Sequence, residues 1–139
     1  LFESEAQLRR LLKLDPENRE MMLLLGRILF ESGRVAEAEQ IFHHLTASSR
    51  LDAGARNNSA VIMAAQHKFE AAERELVSIS DKESMRRIAP GNLAAVRKAA
   101  ELTRLGRSFV IVPESGKTDF RVIGAISIKT VELHPEKSK

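Results

Sequence analysis

A Ser-Gly-Lys-Thr run at residues 115–118 is the part of this sequence that comes nearest to a catalytic motif. It matches the end of a phosphate-binding loop, where backbone N–H groups and a lysine hold the phosphates of a nucleotide. That motif needs another glycine five residues before Gly116, and Ile111 occupies that position. No helical pattern follows the run. We therefore interpret residues 115–118 as a turn between two strands.

The histidines, serines and carboxylates lack the spacing that metal binding or catalysis requires. His43–His44 are adjacent, and neighbours on a helix point about 100° apart, so the two cannot hold one metal ion. His67 and His134 have no cysteine or carboxylate at ligand spacing, and Ser48–Ser49 have no general base nearby. Carboxylates stand three or four residues from basic residues, which is typical of surface ion pairs. We predict no enzyme activity, no metal and no cofactor.

The composition indicates a folded protein that binds no nucleic acid and has no membrane span. Of the 139 residues, 43% are apolar, and 22 basic residues nearly balance 19 acidic ones. The two signs are interspersed, so no basic stripe for nucleic acid is visible. There is no cysteine for a disulfide and no run of about 18 apolar residues. No signal peptide is recognisable, although a start at Leu1 is compatible with removal of an upstream segment. We expect a soluble protein of the cytoplasm or the periplasm.

Two stretches of the sequence repeat each other at a spacing of 34 residues. Moving GRVAEAEQIFHHL (33–45) along by 34 positions places it on HKFEAAERELVSI (67–79). Small residues then coincide with small ones and large residues with large ones, and a shift in the opposite direction gives a further match. The coinciding pairs are Ala38 with Ala72, Phe42 with Leu76, Leu8 with Phe42 and Leu11 with Leu45. Recurrence at one spacing predicts a repeat architecture.

Each repeat unit is predicted to be a helical hairpin. Asp15 is a suitable N-cap and Pro16 a suitable first helical residue, and Gly33 suits the left-handed position after a helix end. These signals predict the first helix of the first unit. The other predicted helices lie at 3–14, 35–45, 55–66 and 68–79.

These residues resemble the tetratricopeptide repeat family over roughly residues 3–106. Small and large side chains alternate at the packing positions of both units; they are Leu25, Gly26, Ala38 and Phe42 after Pro16, and then Ala60, Met63, Ala72 and Leu76. Small residues let paired helices approach closely, and large ones fill the space between them. Met22, Ser59 and His67 depart from the family pattern, since a large aromatic residue, a leucine and a helix-ending glycine are usual there. The resemblance implies a mainly α fold, a solenoid of about five or six helices.

A third unit is predicted to begin at Pro90 and to end at Gly106. It corresponds to the first helix of a hairpin, which we call a first-type helix; the second helix of a hairpin is a second-type helix. Because the connection 80–89 is long, this helix begins about five residues later than the 34-residue spacing predicts. A strict 34-residue register would instead align Asn92 with Asn58, and we favour the Pro and Gly boundaries. The polar face of this helix suits a cap on the solenoid. The predicted helical domain covers 1–106, divided into a partial repeat (1–15), two repeats (about 16–49 and 50–83) and a capping helix (about 90–105).

Residues 107–139 form a separate, β-rich segment with a polar tail. SFVIV (108–112) and FRVIGAISIKTVEL (120–133) are rich in Val and Ile and predict a β-hairpin, with a further strand possible after Gly124. The candidate strand-pairing residues are Val110, Val112, Val122, Ile126 and Ile128. A lone hairpin is marginal in water. Four alternatives follow: the segment packs on the helices, pairs with another chain, belongs to a domain only partly present, or is a foreign segment joined to the helical domain.

The resemblance also implies a binding groove lined by the first helix of each unit. In that case Leu23, Arg27 and Phe30 face the groove, and the alternative is that they are core residues. Asn58 stands where the family often has an asparagine that hydrogen-bonds the backbone of a bound peptide, and Asn57 precedes it. The alternative is a polar surface residue near a helix start. A basic carboxylate clamp is poorly matched, since Arg27 and Arg97 alone fit it.

Two functions follow as hypotheses. The first is a non-enzymatic scaffold that binds a partner peptide or helix in the groove, and bacterial members of the family suggest pilus, secretion or envelope assembly as its setting. The second is an assembly subunit, capable of self-association, that pairs strands through residues 108–133 and uses the helices as a spacer.

Overall fold

The computed structural model describes residues 2–48, 52–114 and 123–131. Within these ranges the chain forms six α-helices, one short 3-10 helix and two strands. The helices are α1 (Phe2–Leu14), α2 (Arg19–Glu31), α3 (Val35–Ser48), α4 (Ala53–Ala65), α5 (Phe69–Ile79) and α6 (Ala89–Arg104). The 3-10 helix is Glu83–Met85, and the strands are β1 (Phe109–Pro113) and β2 (Ile126–Thr130). The mainly helical fold with a C-terminal hairpin is therefore confirmed.

Each helix packs on the next one along the chain, from α1 to α6, as in a solenoid of helical hairpins. The first-type helices α2, α4 and α6 also touch their first-type neighbours. Gly26 on α2 permits a close approach to α3, because a Cβ atom at this position would lie 2.5 Å from the ring Cζ of Phe42. Phe42 is fully buried, and so are the predicted small residues Ala38, Ala60 and Ala72. The repeated small and large residues thus form the helix–helix contacts.

The three first-type helices end in the same way. Gly33, His67 and Gly106 follow them with φ of +81°, +62° and +70°. At each end the next residue's N–H bonds back to the carbonyl oxygen five positions earlier: Arg34 to Leu29, Lys68 to Met63 and Arg107 to Leu102, each at 2.8 Å. This pattern satisfies carbonyl groups that the helix itself leaves unpaired. His67 adopts the left-handed conformation that glycine takes in the other two units.

The helix starts differ from the sequence prediction. Asn18, and not Asp15, caps α2, because its side-chain oxygen accepts a hydrogen bond from the Met21 N–H at 3.0 Å. Pro16 lies in the preceding turn, so its prediction as first helical residue is wrong. Asp52 caps α4 through the Ala55 N–H, which starts that helix at Ala53. The predicted end of α3 at residue 45 is also wrong, since α3 continues to Ser48.

The C-terminal hairpin packs on the helices, one of the four possibilities left open by the sequence. β1 and β2 are antiparallel, and Ile111 pairs with Ile128 near the middle of the register. Ile123 and Ile126 are buried in the same apolar cluster as residues of α1 to α4. Ile111 packs against this cluster and also against the cluster around α5 and α6. Among the described residues, no helix is long and apolar enough to cross a membrane.

Candidate functional site

Three asparagines form a fully buried cluster between the first-type helices and the C-terminal segment. Asn57 and Asn58 lie on α4, and Asn92 lies on the first turn of α6. None has any exposed side-chain area, which rules out the surface alternative for Asn57 and Asn58. Buried amides need hydrogen-bond partners, because an unpaired polar group in the interior costs about 1–3 kcal/mol. The partners therefore define what this cluster does.

Asn92 hydrogen-bonds the backbone of the C-terminal segment with both its Nδ2 and its Oδ1. Its Nδ2 donates to the carbonyl oxygen of Gly124 at 2.9 Å, and its Oδ1 accepts from the N–H of Ile126 at 2.9 Å. The same Nδ2 also donates to Oδ1 of Asn57 at 3.1 Å. An amide carries both donors and an acceptor, so it can pair with an extended backbone as a neighbouring strand would. Asn92 therefore recognises main-chain groups and no particular side chain.

Asn58 supplies a second backbone contact on α4. Its Oδ1 accepts a hydrogen bond from the Ile123 N–H at 2.8 Å, and Nδ2 of Asn57 approaches the same oxygen at 3.5 Å. The chain turns between the two contacts, because Gly124 has φ of +83°. In a regular strand, the N–H groups of odd and even residues point to opposite edges. The turn at Gly124 allows Ile123 and Ile126, which differ in parity, both to reach helix amides.

Two apolar side chains of this segment are buried against the helices. Ile123 is fully buried and Ile126 is 5% exposed. Both belong to the cluster that contains Leu23 and Phe30 on α2. Leu23 and Phe30 are thus core residues, in the same cluster as Ile123 and Ile126. We use "the groove" for the surface of α4 and α6 that residues 123–131 contact.

Of the remaining predicted site residues, the structure describes Arg27 on α2 and Val110, Val112 and Ile128 on the hairpin. Arg27 on α2 is partly exposed, and its Nε is 2.9 Å from Oε1 of Glu31. Val112 and Ile128 are half-buried, while Val110 is 46% exposed. Val122, residues 115–118 and His134 lie outside the described residues. In the described part of the chain, no three His, Asp or Glu side chains are grouped so as to hold a metal ion.

Sequence analysis did not single out Asn92, Ile123 or Gly124 as site residues. A signal for Asn92 was present, since the strict 34-residue register aligns it with Asn58. Both asparagines bind the C-terminal segment, so that register describes this contact, while Gly106 ends the helix as the boundary register requires. Helix α6 accommodates both because it has 16 residues where α4 has 13, and because Asn92 is the fourth residue of α6 whereas Asn58 is the sixth residue of α4. Nothing local to Ile123 indicated its contact with α4.

Comparison with known proteins gives one result. Residues 3–56, which span α1 to the start of α4, match the family model of the tetratricopeptide repeat. No curated protein and no solved structure matches the chain. The match confirms the resemblance over these residues, and such repeats imply a scaffold for protein–protein interaction in general.

Proposed function

From the match of residues 3–56 to the tetratricopeptide repeat, we propose that this chain is a non-enzymatic scaffold that binds a partner polypeptide in the groove. The partner segment is extended and mainly apolar. One observation carries the proposal: Asn58 and Asn92 hydrogen-bond the backbone of residues 123–126 on both sides of the turn at Gly124. The chain's own segment supplies the geometry that a partner backbone would adopt. Pilus, secretion or envelope assembly is proposed as the setting by analogy with the family alone.

The main-chain hydrogen bonds would supply affinity, and the apolar contacts would supply specificity. Hydrogen bonds from asparagine amides to main-chain groups accept many sequences, since every residue except proline offers an N–H and a C=O. Selection would come from the two apolar positions that Ile123 and Ile126 fill and from the left-handed residue between them, which favours glycine. The expected partner motif is therefore apolar–Gly–small–apolar, as in Ile-Gly-Ala-Ile at 123–126.

Binding in trans tests this function. A chain that ends at Arg107 lacks the hairpin, and a labelled peptide with the sequence of residues 123–131 (IGAISIKTV) is titrated into it. Fluorescence anisotropy should give micromolar binding, and far-UV circular dichroism checks that the helices remain folded. Asn92→Ala removes the contacts to Gly124 and Ile126 and should weaken binding about thirtyfold, since two hydrogen bonds at roughly 1 kcal/mol each make about 2 kcal/mol.

Gln40→Ala serves as the matched control, because Gln40 is an exposed amide on the second-type helix α3. It should leave the affinity unchanged. Absence of peptide binding by the folded, shortened chain would remove the groove from the proposal.

Among the described residues, β2 is the only strand that pairs with β1, and the other edge of β1 favours a second candidate, assembly through strand pairing. The N–H of Glu114 bonds to Ala125, and the N–H of Val131 bonds to Ser108, so even-numbered residues of β1 face β2. The backbone groups of Phe109 and Ile111 consequently point away from β2, where a strand of a second chain could pair with them. Light scattering separates the candidates: the full chain self-associates and the shortened chain does not if this edge is the assembly surface.

A further inference from the structure

We propose that the C-terminal segment 123–131 is a built-in competitor for the groove, so that the full chain is closed and a partner binds only when this segment leaves. This inference rests on the proposed function. A site whose backbone-binding amides are already occupied cannot accept a second backbone at the same atoms. Asn58 and Asn92 are occupied in this way by Ile123, Gly124 and Ile126.

The polar centre of the interface suits a reversible contact. Asn57, Asn58 and Asn92 are uncharged, and all three lose their solvent contact only because the segment and neighbouring helices cover them. When the segment leaves, water can satisfy the same donors and acceptors.

The apolar part of the interface is small. Ile123 and Ile126 are the buried side chains of the segment, whereas Val131 on the same segment and Val110 on β1 are 44% and 46% exposed. A hairpin of two strands has little stability of its own in water. Once the segment leaves the helices, β2 retains its pairing with β1 but loses the helices that stabilise the hairpin. Opening would therefore be coupled to loss of the hairpin and not to movement of a rigid lid.

The covalent connection makes the competition effective. Residues Leu105–Ser108 join α6 to β1, and the competing segment begins 19 positions after the last residue of α6, so it stays close to the groove. Short connections give effective concentrations of roughly millimolar order. Against an intrinsic dissociation constant of micromolar order, the closed state would raise a partner's apparent dissociation constant by up to about a thousandfold. The full chain should accordingly bind a partner peptide much more weakly than the uncovered groove does.

A variant of the full chain with a defective segment tests the competition. Ile126→Asp places a charge at a buried position of the segment and changes no residue on the helices. Binding of the labelled peptide IGAISIKTV is measured by anisotropy for the wild type and the variant. The variant should bind at least about tenfold more tightly than the wild type. Val131→Asp is the matched control: it adds the same charge at an exposed position of the segment and should behave as the wild type does.

The possible outcomes separate the two proposals. Equal, tight binding by the wild type and Ile126→Asp would overturn the competition and leave the groove function standing. No binding by an Ile126→Asp chain with intact helical circular dichroism would overturn the groove function and the competition with it.

Hydrogen exchange of the wild-type chain decides the matter if Ile126→Asp fails to fold. The N–H groups of Ile123 and Ile126, which donate to Asn58 and Asn92, should exchange through an opening that leaves the amides of Val96 and Ala99 in α6 protected. Exchange of all four amides only by global unfolding would show that the segment never leaves a folded groove, and would overturn the proposal.

Discussion

The side-chain oxygen of Asn92 accepts a hydrogen bond from the N–H of Ile126 at 2.9 Å, and this contact joins the last helix to the second strand. On the other side of the same amide, Nδ2 donates to the carbonyl oxygen of Gly124. A helix side chain thus takes the place of a third strand at the outer edge of β2. The edge is covered in this way at the start of β2, and this contact helps a two-stranded hairpin to remain folded on the helices.

Asn92→Asp should destabilise the chain strongly at neutral pH. The substitution keeps the size of the side chain but replaces the Nδ2 donor with an oxygen, which then faces the acceptors of Gly124 and Asn57. Loss of two hydrogen bonds in a buried site should lower the free energy of unfolding by about 2 kcal/mol or more. Urea denaturation followed by circular dichroism measures the change. Gln40→Glu, the same chemical change at an exposed position, should alter stability by less than about 0.5 kcal/mol.

Gly26→Ala should destabilise the first hairpin by overpacking. The added Cβ would lie 2.5 Å from Cζ of Phe42, a ring with no exposed area and little room to move. We expect a loss of about 1–3 kcal/mol in thermal or urea unfolding. Gly91→Ala is the control, because no atom lies within 4 Å of its new Cβ and alanine favours the helix. A Gly26→Ala chain as stable as the Gly91→Ala chain would contradict the close helix contact.

At position 67 a glycine variant should be more stable than an alanine variant, which is the opposite of the order inside a helix. Both substitutions remove the ring that stacks on Phe69 and Phe109, with centroids 5.2 Å and 5.7 Å away. Alanine alone retains the strain of a left-handed backbone, so His67→Gly should be more stable than His67→Ala by about 1 kcal/mol. At His43, an exposed position inside α3, the same pair should show the opposite order. Urea midpoints of the four variants give the comparison, and one order at both positions would refute the conformational argument.

Stability should fall on acidification through a charge cluster at the start of α3. The Arg34 guanidinium donates to Glu5 at 2.7 Å and to Glu37 at 2.7 Å, and these hydrogen bonds hold the pKa of both carboxyls below the usual value of 4.5. A lowered pKa in the folded state stabilises the chain above pH 4.5, and this stabilisation is lost as the pH falls through the folded-state pKa.

Arg34→Gln removes the main cause of both shifts. The wild type should therefore be more stable than this variant at pH 7, and the difference in urea midpoint should shrink at about pH 3. A difference that stays constant between the two pH values would mean that Arg34 acts through packing alone. Arg104→Gln tests the same effect at a second place, because Arg104 lowers the pKa of the exposed Glu101 on α6. Its difference from the wild type should shrink at low pH in the same way.

Much of the helical fold was predictable because its signals are local. The match of 33–45 with 67–79 gave the repeat, and Gly33 and Gly106 gave two helix ends, since φ near +80° or +70° favours glycine whatever lies around it. The choice of cap for α2 was less predictable. The side chains of Asp15 and Asn18 can both cap a helix, and α2 starts after Asn18. The next residue, Arg19, forms an ion pair at 2.8 Å with Asp52, the cap of α4, which lies 33 residues away in the sequence.

The sequence by itself determined the repeated hairpins and the existence of a β-rich tail, because periodicity, helix-ending residues and strand propensity depend on neighbours in the chain. Only the tertiary structure decided what covers the groove. The bond between Asn58 and Ile123 joins residues 65 positions apart, and that between Asn92 and Ile126 joins residues 34 apart. Contacts over such distances depend on how the helices stack and on where Gly124 turns the chain. An asparagine that appears in the sequence as a groove or surface residue is therefore buried against the backbone of its own chain.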